Sequence, residues 1–410
     1  TLHFWGGVQP EYGYDDLCAN FNEEYKDKGL QVEYVRYVND DNGNLQLETY
    51  LMGGGDVDLF IGYGGRTKMD KRVDSNLLLD MSGMLNDIGF NLDDELGVAN
   101  MAEYHYDDGA VYGFPTKYEN SRWILINEDM FKEAGLDIPY DGWTYSEFLA
   151  DAEKLTHGED QDKVYGVCWA RKQSGKSILY ALDGVLGANQ IYKNEEGTEV
   201  NFDNDVYRAG FNLVKETLDK GYAIPIEDEF SEDISVANTF LQGKCAIMLG
   251  VAQMSMDQEN YPHDFTTALV PAPVPDDEKY NTEFYRKQIG TTGAGDLLSI
   301  SANTKYPEAS FEFAMWYLKG GMSPLVQGGR IPLWNGVNKD EVLSVLKEKA
   351  QGSIDMDSME NYLSLDTTQG VAAIKGHASS EISSAWFEEF DAMCYGKQSV
   401  DQTVQNMEKR

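Results

Sequence analysis

The first sixty residues alternate between short apolar segments and amphipathic ones. Residues 2–5, 31–38 and 57–61 have the apolar content of strands. Between them, apolar residues recur at helical spacing from about residue 15 and from residue 45, and both segments end at glycine, which predicts two helices. This order predicts an α/β fold with a doubly wound, mostly parallel sheet, because parallel neighbours need crossover helices.

The ends of the first and third predicted strands carry candidate ligand contacts. Residues 5–7 read Trp-Gly-Gly and residues 63–66 read Tyr-Gly-Gly-Arg. Ligands of doubly wound sheets bind beyond the carboxyl ends of the strands. Both segments place an aromatic ring beside glycines, which let a ligand approach the backbone closely.

Two helix starts are well marked in the middle of the chain. Asn127 precedes an acidic turn and is expected to cap a helix. Thr144 and Glu147 have the spacing of a capping box, with Trp143 and Phe148 at the hydrophobic staple positions. Further strands are predicted at residues 123–126, 164–169, 245–249 and 297–301, and further helices at residues 205–220, from Pro307 onwards and around residues 382–390.

Length and charge restrict the classes of function. A chain of 410 residues predicts two large lobes or three small domains. With 33 basic and 70 acidic residues, the net charge is −37, which makes nucleic acid and anionic membrane surfaces poor partners. Hydrophobic residues at 42% are enough to build cores, so we interpret the acidity as a solvated surface. No apolar run is long enough to span a bilayer.

The sequence offers little support for catalysis, metal binding or a cofactor. Residues 170–177 match a relaxed phosphate-loop pattern, but alanine replaces the first glycine and bulky Arg171 and Lys172 fill its centre, so an ordinary cationic loop is favoured. The five histidines are scattered, and the acidic clusters lack calcium-loop spacing, although a bound calcium ion stays open. The four cysteines lie far apart, and their pairing also stays open.

Aromatic and carboxylate side chains at strand ends and in loops suit carbohydrate. A pyranose ring offers an apolar C–H face to an aromatic ring and hydroxyls to carboxylates and guanidinium groups. Trp5, Tyr63, Trp169 and Trp334 stand beside glycine, arginine or proline and are predicted to stack on sugar. The other reading, packing in a core, is favoured for Trp123, Trp316 and Trp386, which follow strand or helix periodicity.

An ordered set of motifs carries a family resemblance. Residues 113–119 (Gly-Phe-Pro-Thr-Lys-Tyr-Glu) are followed by a strand ending in Asn127, a Phe-x-x-Ala-Gly-Leu helix at residues 131–136 and a Trp-Thr-x-x-Glu-Phe helix start at residues 143–148. Later matches are residues 240–248 and 300–313. In this order the chain resembles the extracellular solute-binding proteins of carbohydrate ABC importers, which are maltose-binding-protein-like, over nearly its whole length.

The resemblance implies a fold and a domain layout. It implies a two-lobe α/β fold of the periplasmic-binding-protein type (type II), in which each lobe is a mixed, mainly parallel sheet flanked by helices and the ligand cleft lies between the lobes. The N-terminal lobe would comprise residues 1–115 and 271–322, and the C-terminal lobe residues 116–270 and 323–410. Hinge closure around a sugar would follow from this arrangement.

The resemblance also implies site residues. It assigns sugar contacts to Tyr63, Arg66 and Glu119. Where relatives often carry a tryptophan, this chain has Val-Ala-Gln at residues 251–253, so a stacking platform is missing there and Trp334 or Trp169 would compensate. With the residues chosen above, the predicted ligand contacts are Trp5, Tyr63, Arg66, Tyr118, Glu119, Trp169, Arg171, Gln253, Asp296, Trp334 and Asp366.

The expected function is a non-catalytic receptor without metal or cofactor. It would capture a neutral mono- or oligosaccharide as a monomer and deliver it to the membrane permease of an ABC importer, without binding nucleic acid. The family's usual location is outside the cell, as a lipoprotein of a Gram-positive bacterium or free in a periplasm, and we expect any leader to have been removed or trimmed. The alternatives are a carboxylate-dependent glycoside hydrolase, which needs two carboxylates across a glycosidic bond, and a carbohydrate-binding surface protein without a transport role.

Overall fold

The computed structural model describes most of the chain and divides it into two compact units. The described residues are 1–39, 41–119, 123–171, 192–194, 197–232, 234–249, 254–287, 293–364 and 379–410. Among them, the first unit is formed by residues 1–119 and 293–346, and the second by residues 123–287, 347–364 and 379–410. Each unit is therefore built from separate stretches of the chain.

The division places three segments differently from the sequence prediction. Residues 116–119 and 323–346 belong to the first unit, and residues 271–287 belong to the second. Backbone hydrogen bonds explain these placements. Val274 donates its N–H to Trp143 O in the second unit at 3.0 Å. In the first unit, Tyr118 N donates to Ile331 O at 2.7 Å and Leu333 N to Thr116 O at 2.9 Å.

The strands and helices of the described residues follow in chain order. The strands are β1 (Leu2–Gly6), β2 (Val32–Arg36), β3 (Leu59–Gly62), β4 (Phe114–Glu119), β5 (Trp123–Asn127), β6 (Tyr165–Cys168), β7 (Cys245–Met248), β8 (Thr267–Pro271) and β9 (Gly293–Ile300). The helices are α1 (Tyr14–Glu24), α2 (Asp41–Met52), α3 (Gly65–Asp74), α4 (Ser82–Asp87), α5 (Leu92–Leu96), α6 (Val98–Met101), α7 (Glu128–Glu133), α8 (Tyr145–Leu155), α9 (Asp205–Asp219), α10 (Ile226–Ser231), α11 (Glu283–Arg286), α12 (Pro307–Trp316), α13 (Lys339–Ala350), α14 (Met356–Ser364), α15 (Ser379–Cys394) and α16 (Val400–Lys409).

The first unit contains a five-stranded mixed sheet in the order β2-β1-β3-β9-β4. Strand β1 pairs in parallel with β2 and β3, which confirms the predicted alternation of strands and crossover helices at the start of the chain. Strand β9 inserts antiparallel between β3 and β4. The sequence predicts a mostly parallel sheet, but the insertion of β9 makes two of its four strand pairs antiparallel.

The second unit contains a four-stranded mixed sheet in the order β6-β7-β5-β8. Here β6 and β7 are parallel, whereas β5 is antiparallel to both β7 and β8. Helix α8 starts with the predicted capping box, in which Thr144 Oγ1 accepts from Glu147 N and the Glu147 carboxylate accepts from Thr144 N. The rings of Trp143 and Phe148 meet edge to face at 5.0 Å, as their staple positions predict.

Aromatic side chains fill the core of each unit. In the first unit Phe4 contacts Tyr14, Tyr34, Phe313 and Tyr317 with ring centroids 5.2–6.0 Å apart. In the second unit the predicted core residue Trp386 is fully buried and stacks on Phe390 at 4.7 Å.

The four cysteines are free thiols, and none of them forms a disulfide: Cys18, Cys168, Cys245 and Cys394. Within the described ranges, every helix is too short or too polar to cross a bilayer.

Candidate functional site

The candidate site lies at the carboxyl edge of the first unit's sheet. Strands β1 and β3 are parallel and end at Gly6 and Gly62. Strand β4 is antiparallel to β9, which is itself antiparallel to β3, so β4 runs in the same direction and ends at Glu119 on this edge. The segments that follow these strands therefore share the position at which ligands of such sheets bind.

Two tyrosine hydroxyls fix the loop that follows β1. Tyr63 Oη accepts from Gly7 N at 3.1 Å. Tyr34 Oη accepts from Val8 N at 3.2 Å and donates to Val8 O at 2.8 Å. A Cβ atom at residue 7 would lie 2.8 Å from the Tyr63 ring, so only glycine allows this approach.

A mostly buried ion pair lies beside Tyr63. Arg330 Nε donates to Asp296 Oδ2 at 2.8 Å, and the two side chains are 13% and 7% exposed. The Arg330 guanidinium also lies close to the Tyr63 hydroxyl. Asp296 has φ = +55°, a left-handed conformation that is uncommon outside glycine, and its carbonyl oxygen accepts from Thr116 Oγ1 at 2.9 Å.

The electrostatics keep the tyrosines of this cluster protonated. Burial is the main cause that raises the pKa of Tyr63 to about 12; the nearby Asp296 carboxylate contributes to the rise, and Arg330 opposes it. Burial likewise raises the pKa of Tyr14, which lies close enough to Asp296 and Arg330 to feel both charges. The Tyr14 hydroxyl is buried and has no hydrogen-bond partner among the described residues. The cluster thus combines fixed donors, a carboxylate acceptor and a balanced charge.

Two of the predicted residues in the first unit have their polar atoms engaged within that unit. Trp5 is 4% exposed and donates from Nε1 to Asp56 O at 2.8 Å. Arg66 pairs with Asp70 at 2.5 Å and donates to the carbonyl oxygens of residues 103 and 105. Its guanidinium lies 3.8 Å from the centroid of the Tyr106 ring. Both side chains therefore have structural partners in the first unit.

The same holds for the two predicted residues of the second unit that the structure describes. Trp169 is 4% exposed, belongs to the core and donates from Nε1 to Thr217 Oγ1 at 2.9 Å. Arg171 makes a bidentate pair with Asp391 at 2.6 and 2.8 Å, and its guanidinium lies 4.1 Å from the Phe387 ring centroid. Of the phosphate-loop-like segment, residues 172–177 lie outside the described residues.

The remaining predicted residues fall into three groups. Tyr118 is buried in β4, and Glu119 ends that strand, but the Glu119 side chain is outside the described part of the structure. Gln253 and Asp366 also lie outside the described residues. Trp334 donates from Nε1 to Glu95 Oε2 at 2.7 Å and lines a groove elsewhere on the first unit.

The structure brings together Tyr63 and Asp296 from the predicted set and adds Arg330, Tyr34 and Tyr14, which sequence reasoning missed. One signal could have found Arg330, because it stands between a Gly-Gly pair and Pro332, the kind of break that marked other candidates. Nothing in the sequence links it to Asp296, 34 positions earlier. In the described ranges, no three His, Cys, Asp or Glu side chains are grouped to hold a metal ion.

Solved structures of similar fold come from several bacteria. A sugar transporter from Rhizobium etli in an open conformation has a TM-score of 0.74 and 18% sequence identity, covering 100% of this chain and 98% of that one. An ABC substrate-binding protein from Listeria monocytogenes in complex with cycloalternan has a TM-score of 0.73 and 17% identity, covering 100% and 97%. A cyclic α-maltosyl-1,6-maltose binding protein from Arthrobacter globiformis has a TM-score of 0.72 and 16% identity, with the same coverage. At these identities the likeness shows the fold, which is the periplasmic-binding-protein-like α/β fold predicted from the sequence.

Comparison of the sequence with known proteins and with family models shows which family the chain belongs to. The chain has no match among curated protein sequences. The family model for the bacterial extracellular solute-binding protein matches residues 7–319, well over half of the chain. The chain therefore belongs to the family of bacterial extracellular solute-binding proteins.

Proposed function

We propose that this chain is the extracellular substrate-binding protein of an ABC importer for a neutral mono- or oligosaccharide. Membership of the solute-binding family supports the general role. The three structural neighbours described above, which are named for sugar transport, for cycloalternan or for a cyclic maltosyl-maltose, support carbohydrate as the class of ligand. The protein would bind its sugar, remain chemically inert toward it and deliver it to permease subunits in the membrane.

The observation that carries the proposal is the Arg330–Asp296 pair beside Tyr63 at the carboxyl edge of the first unit's sheet. Vicinal hydroxyls of a sugar each donate and accept, so they match a guanidinium and a carboxylate held side by side. The pair is balanced in charge, and a chain of net charge −37 repels anionic ligands at long range. Both features favour binding of a neutral sugar over an acidic one.

The proposed ligand contacts centre on the cluster at the carboxyl edge of the first unit's sheet. We include Tyr63, Asp296 and Arg330 because they lie together there, and we retain Tyr118, Glu119, Gln253 and Asp366 as predicted contacts. Trp5, Arg66, Trp169 and Arg171 are assigned packing and ion-pair roles instead, because they lie outside this cluster and their polar atoms are satisfied within their own unit. Trp334 lines a groove of the first unit.

Isothermal titration calorimetry with purified mono- and oligosaccharides tests the proposal. The variant Arg330→Gln is expected to weaken binding of the accepted sugar by about 10- to 100-fold, since a charged hydrogen-bond donor contributes about 1.5–3 kcal/mol. Arg208→Gln is the matched control, because Arg208 pairs with surface carboxylates of the second unit and should leave affinity unchanged.

Arg330→Gln leaves the mostly buried Asp296 carboxylate without its charged partner, which could unfold the protein. The double variant Arg330→Gln with Asp296→Asn is therefore measured beside it. Asparagine tolerates the left-handed backbone at residue 296 and removes the buried charge. Weak binding by the double variant, folded by circular dichroism, supports the proposal. Unchanged affinity in a folded double variant contradicts the assignment of this cluster.

Chromatography of the recovered sugar separates binding from hydrolysis. A substrate-binding protein returns every oligosaccharide intact, whereas a glycoside hydrolase yields shorter products that disappear in Glu119→Gln. We further propose that the protein acts as a monomer and is anchored as a lipoprotein on a Gram-positive cell or resides in a periplasm. Sedimentation and membrane fractionation of the native host protein test these two points.

A further inference from the structure

A second groove lies on the first unit, away from the carboxyl edge of its sheet. Its volume is about 1130 Å³, and its walls include Asn20, Glu24 and Tyr25 from the end of α1. Helix α1 connects the parallel strands β1 and β2, so it runs opposite to them and its carboxyl end lies at the other edge of the sheet. Residues 331–333 run antiparallel to β4, so they also lead away from the carboxyl edge of the sheet, towards Trp334. These parts of the groove therefore lie towards the opposite edge of the sheet from the cluster around Arg330, and none of the lining residues belongs to that cluster.

Two tryptophans that line this groove are each held by a hydrogen bond from the indole N–H and by close contact of the ring with a glycine. Trp316 donates from Nε1 to Glu24 Oε2 at 2.8 Å, and its ring lies so close to Gly321 that a Cβ atom there would be 2.3 Å from a ring carbon. Trp334 is held in the same way by Glu95 and by Gly336, where a Cβ atom would be 2.2 Å from the ring. Both side chains are only half-buried and line the groove. They are ring platforms that are already in place without a ligand.

Polar side chains stand at the rim of the same groove. Asn20, Lys319 and Glu341 are exposed, and within the described part of the chain no hydrogen bond or ion pair engages their side chains. Lys319 only lies over the Phe90 ring at 4.7 Å. Beneath this rim the walls are apolar and buried, with Phe311, Met315, Val326 and Val342.

We propose that this groove is a second oligosaccharide-binding site. Flat rings with a hydrogen-bonding rim match the apolar faces and equatorial hydroxyls of linked pyranoses. Small-molecule sites typically have volumes of about 300–1,000 Å³, so the groove has room for more than one sugar unit. The rim carries both charges and exposed amide groups, which suits a neutral chain of hydroxyls better than a strongly charged partner. The proposal does not depend on the Arg330 cluster, because no residue is shared.

Fluorine NMR of protein labelled with 5-fluorotryptophan tests the proposal, with maltohexaose, cellohexaose and mannohexaose as probes. The variants Trp316→Phe and Trp334→Phe assign the two resonances. At least one probe is expected to shift both resonances, and the shifts should persist in the folded Arg330→Gln and Asp296→Asn double variant. Loss of the shifts in that variant, or no shift with any probe, overturns the second site.

Glycine variants provide the matched binding test. Neither Gly321 nor Gly336 has positive φ, so Gly321→Ala and Gly336→Ala fit the backbone and displace only the indole rings. Each should weaken the groove site by at least about tenfold in titrations followed by the tryptophan resonances. The control Gly83→Ala, on α4, adds a methyl group where nothing lies within 4 Å and should have no effect. Equal affinities in all three variants contradict the proposal, as does protein-concentration-dependent dimerisation that the Gly336→Ala variant abolishes.

Discussion

At the scale of single residues, Asp151 on α8 gives a prediction with a defined pH dependence. Burial raises the pKa of its carboxyl group to about 6, with Lys154 opposing the rise and Glu147 adding to it. In the unfolded chain the group has its ordinary lower pKa of about 3.9. Ionisation therefore disfavours the native state, and the stability contributed by this group falls as the pH rises from about 3.9 to about 6. Because the side chain is partly exposed, we expect Asp151→Asn to raise the free energy of unfolding by only about 1 kcal/mol at about pH 8.

Urea unfolding at a series of pH values measures this effect. The advantage of Asp151→Asn should shrink below about pH 6 and vanish near about pH 4, where both forms are neutral. Asp264→Asn, at an exposed position of the same unit, serves as the control and should show little change at any pH. A constant difference across the series would mean that the substitution acts through packing.

The sequence identifies which side chains could bind a ligand but not which of them already have partners. Tyr63 and Asp296 could be named from their neighbours along the chain, and both lie in the cluster at the sheet edge. Trp169 and Arg171 could be named in the same way, but their partners are Thr217 and Asp391, 48 and 220 positions away. Distant partners of this kind are set by packing, and no local pattern encodes them.

At the scale of elements, local signals were the most informative part of the sequence. The cap at Asn127, the capping box at Thr144 and the start of α12 at Pro307 are where the pattern predicted them. These features depend on residues three or four positions apart. The partner strands of β9 could not be predicted, because the pairing of Leu297 with Gly62 joins residues more than two hundred positions apart.

The α8 capping box supplies the prediction at this scale. Thr144→Ala removes the acceptor for Glu147 N in a buried position and should lower the free energy of unfolding by about 1 kcal/mol. Thr144→Ser keeps the hydroxyl and should retain most of the stability. Equilibrium denaturation of both variants decides the point, and equal losses would show that the methyl group of Thr144, not its hydroxyl, stabilises the helix.

At the scale of the whole molecule, the fold class and the family could be predicted because the motifs appear in order along nearly the entire chain. The boundaries of the two units were harder to predict. Residues 331–333 pair beside β4 through backbone hydrogen bonds, which leave no mark on the side-chain pattern. The groove was missed for a related reason, since the sequence does not place Trp316 and Trp334 on one surface.

The net charge of −37 predicts a response to salt that belongs to the molecule as a whole. Self-repulsion destabilises the compact state, and raising the ionic strength from about 10 mM to about 300 mM shortens the range of that repulsion from about 30 Å to less than 10 Å. Differential scanning calorimetry should therefore show a higher Tm at the higher salt concentration. Sodium chloride and tetramethylammonium chloride should act equally if screening is the cause, whereas an increase with sodium alone would indicate a specific ion site.

The position of β9 has a consequence for how the protein is made. This strand lies between β3 and β4, yet it begins at Gly293, after most of the second unit has been synthesised. While the polypeptide emerges amino end first, β3 and β4 have no neighbour to join them, and their unpaired backbone edges are open to wrong partners. In contrast, the four strands described for the second unit's sheet have all emerged once residue 271 has been synthesised. Until β9 has been synthesised, these edges stay unpaired, so the nascent amino-terminal region needs protection from aggregation during translation.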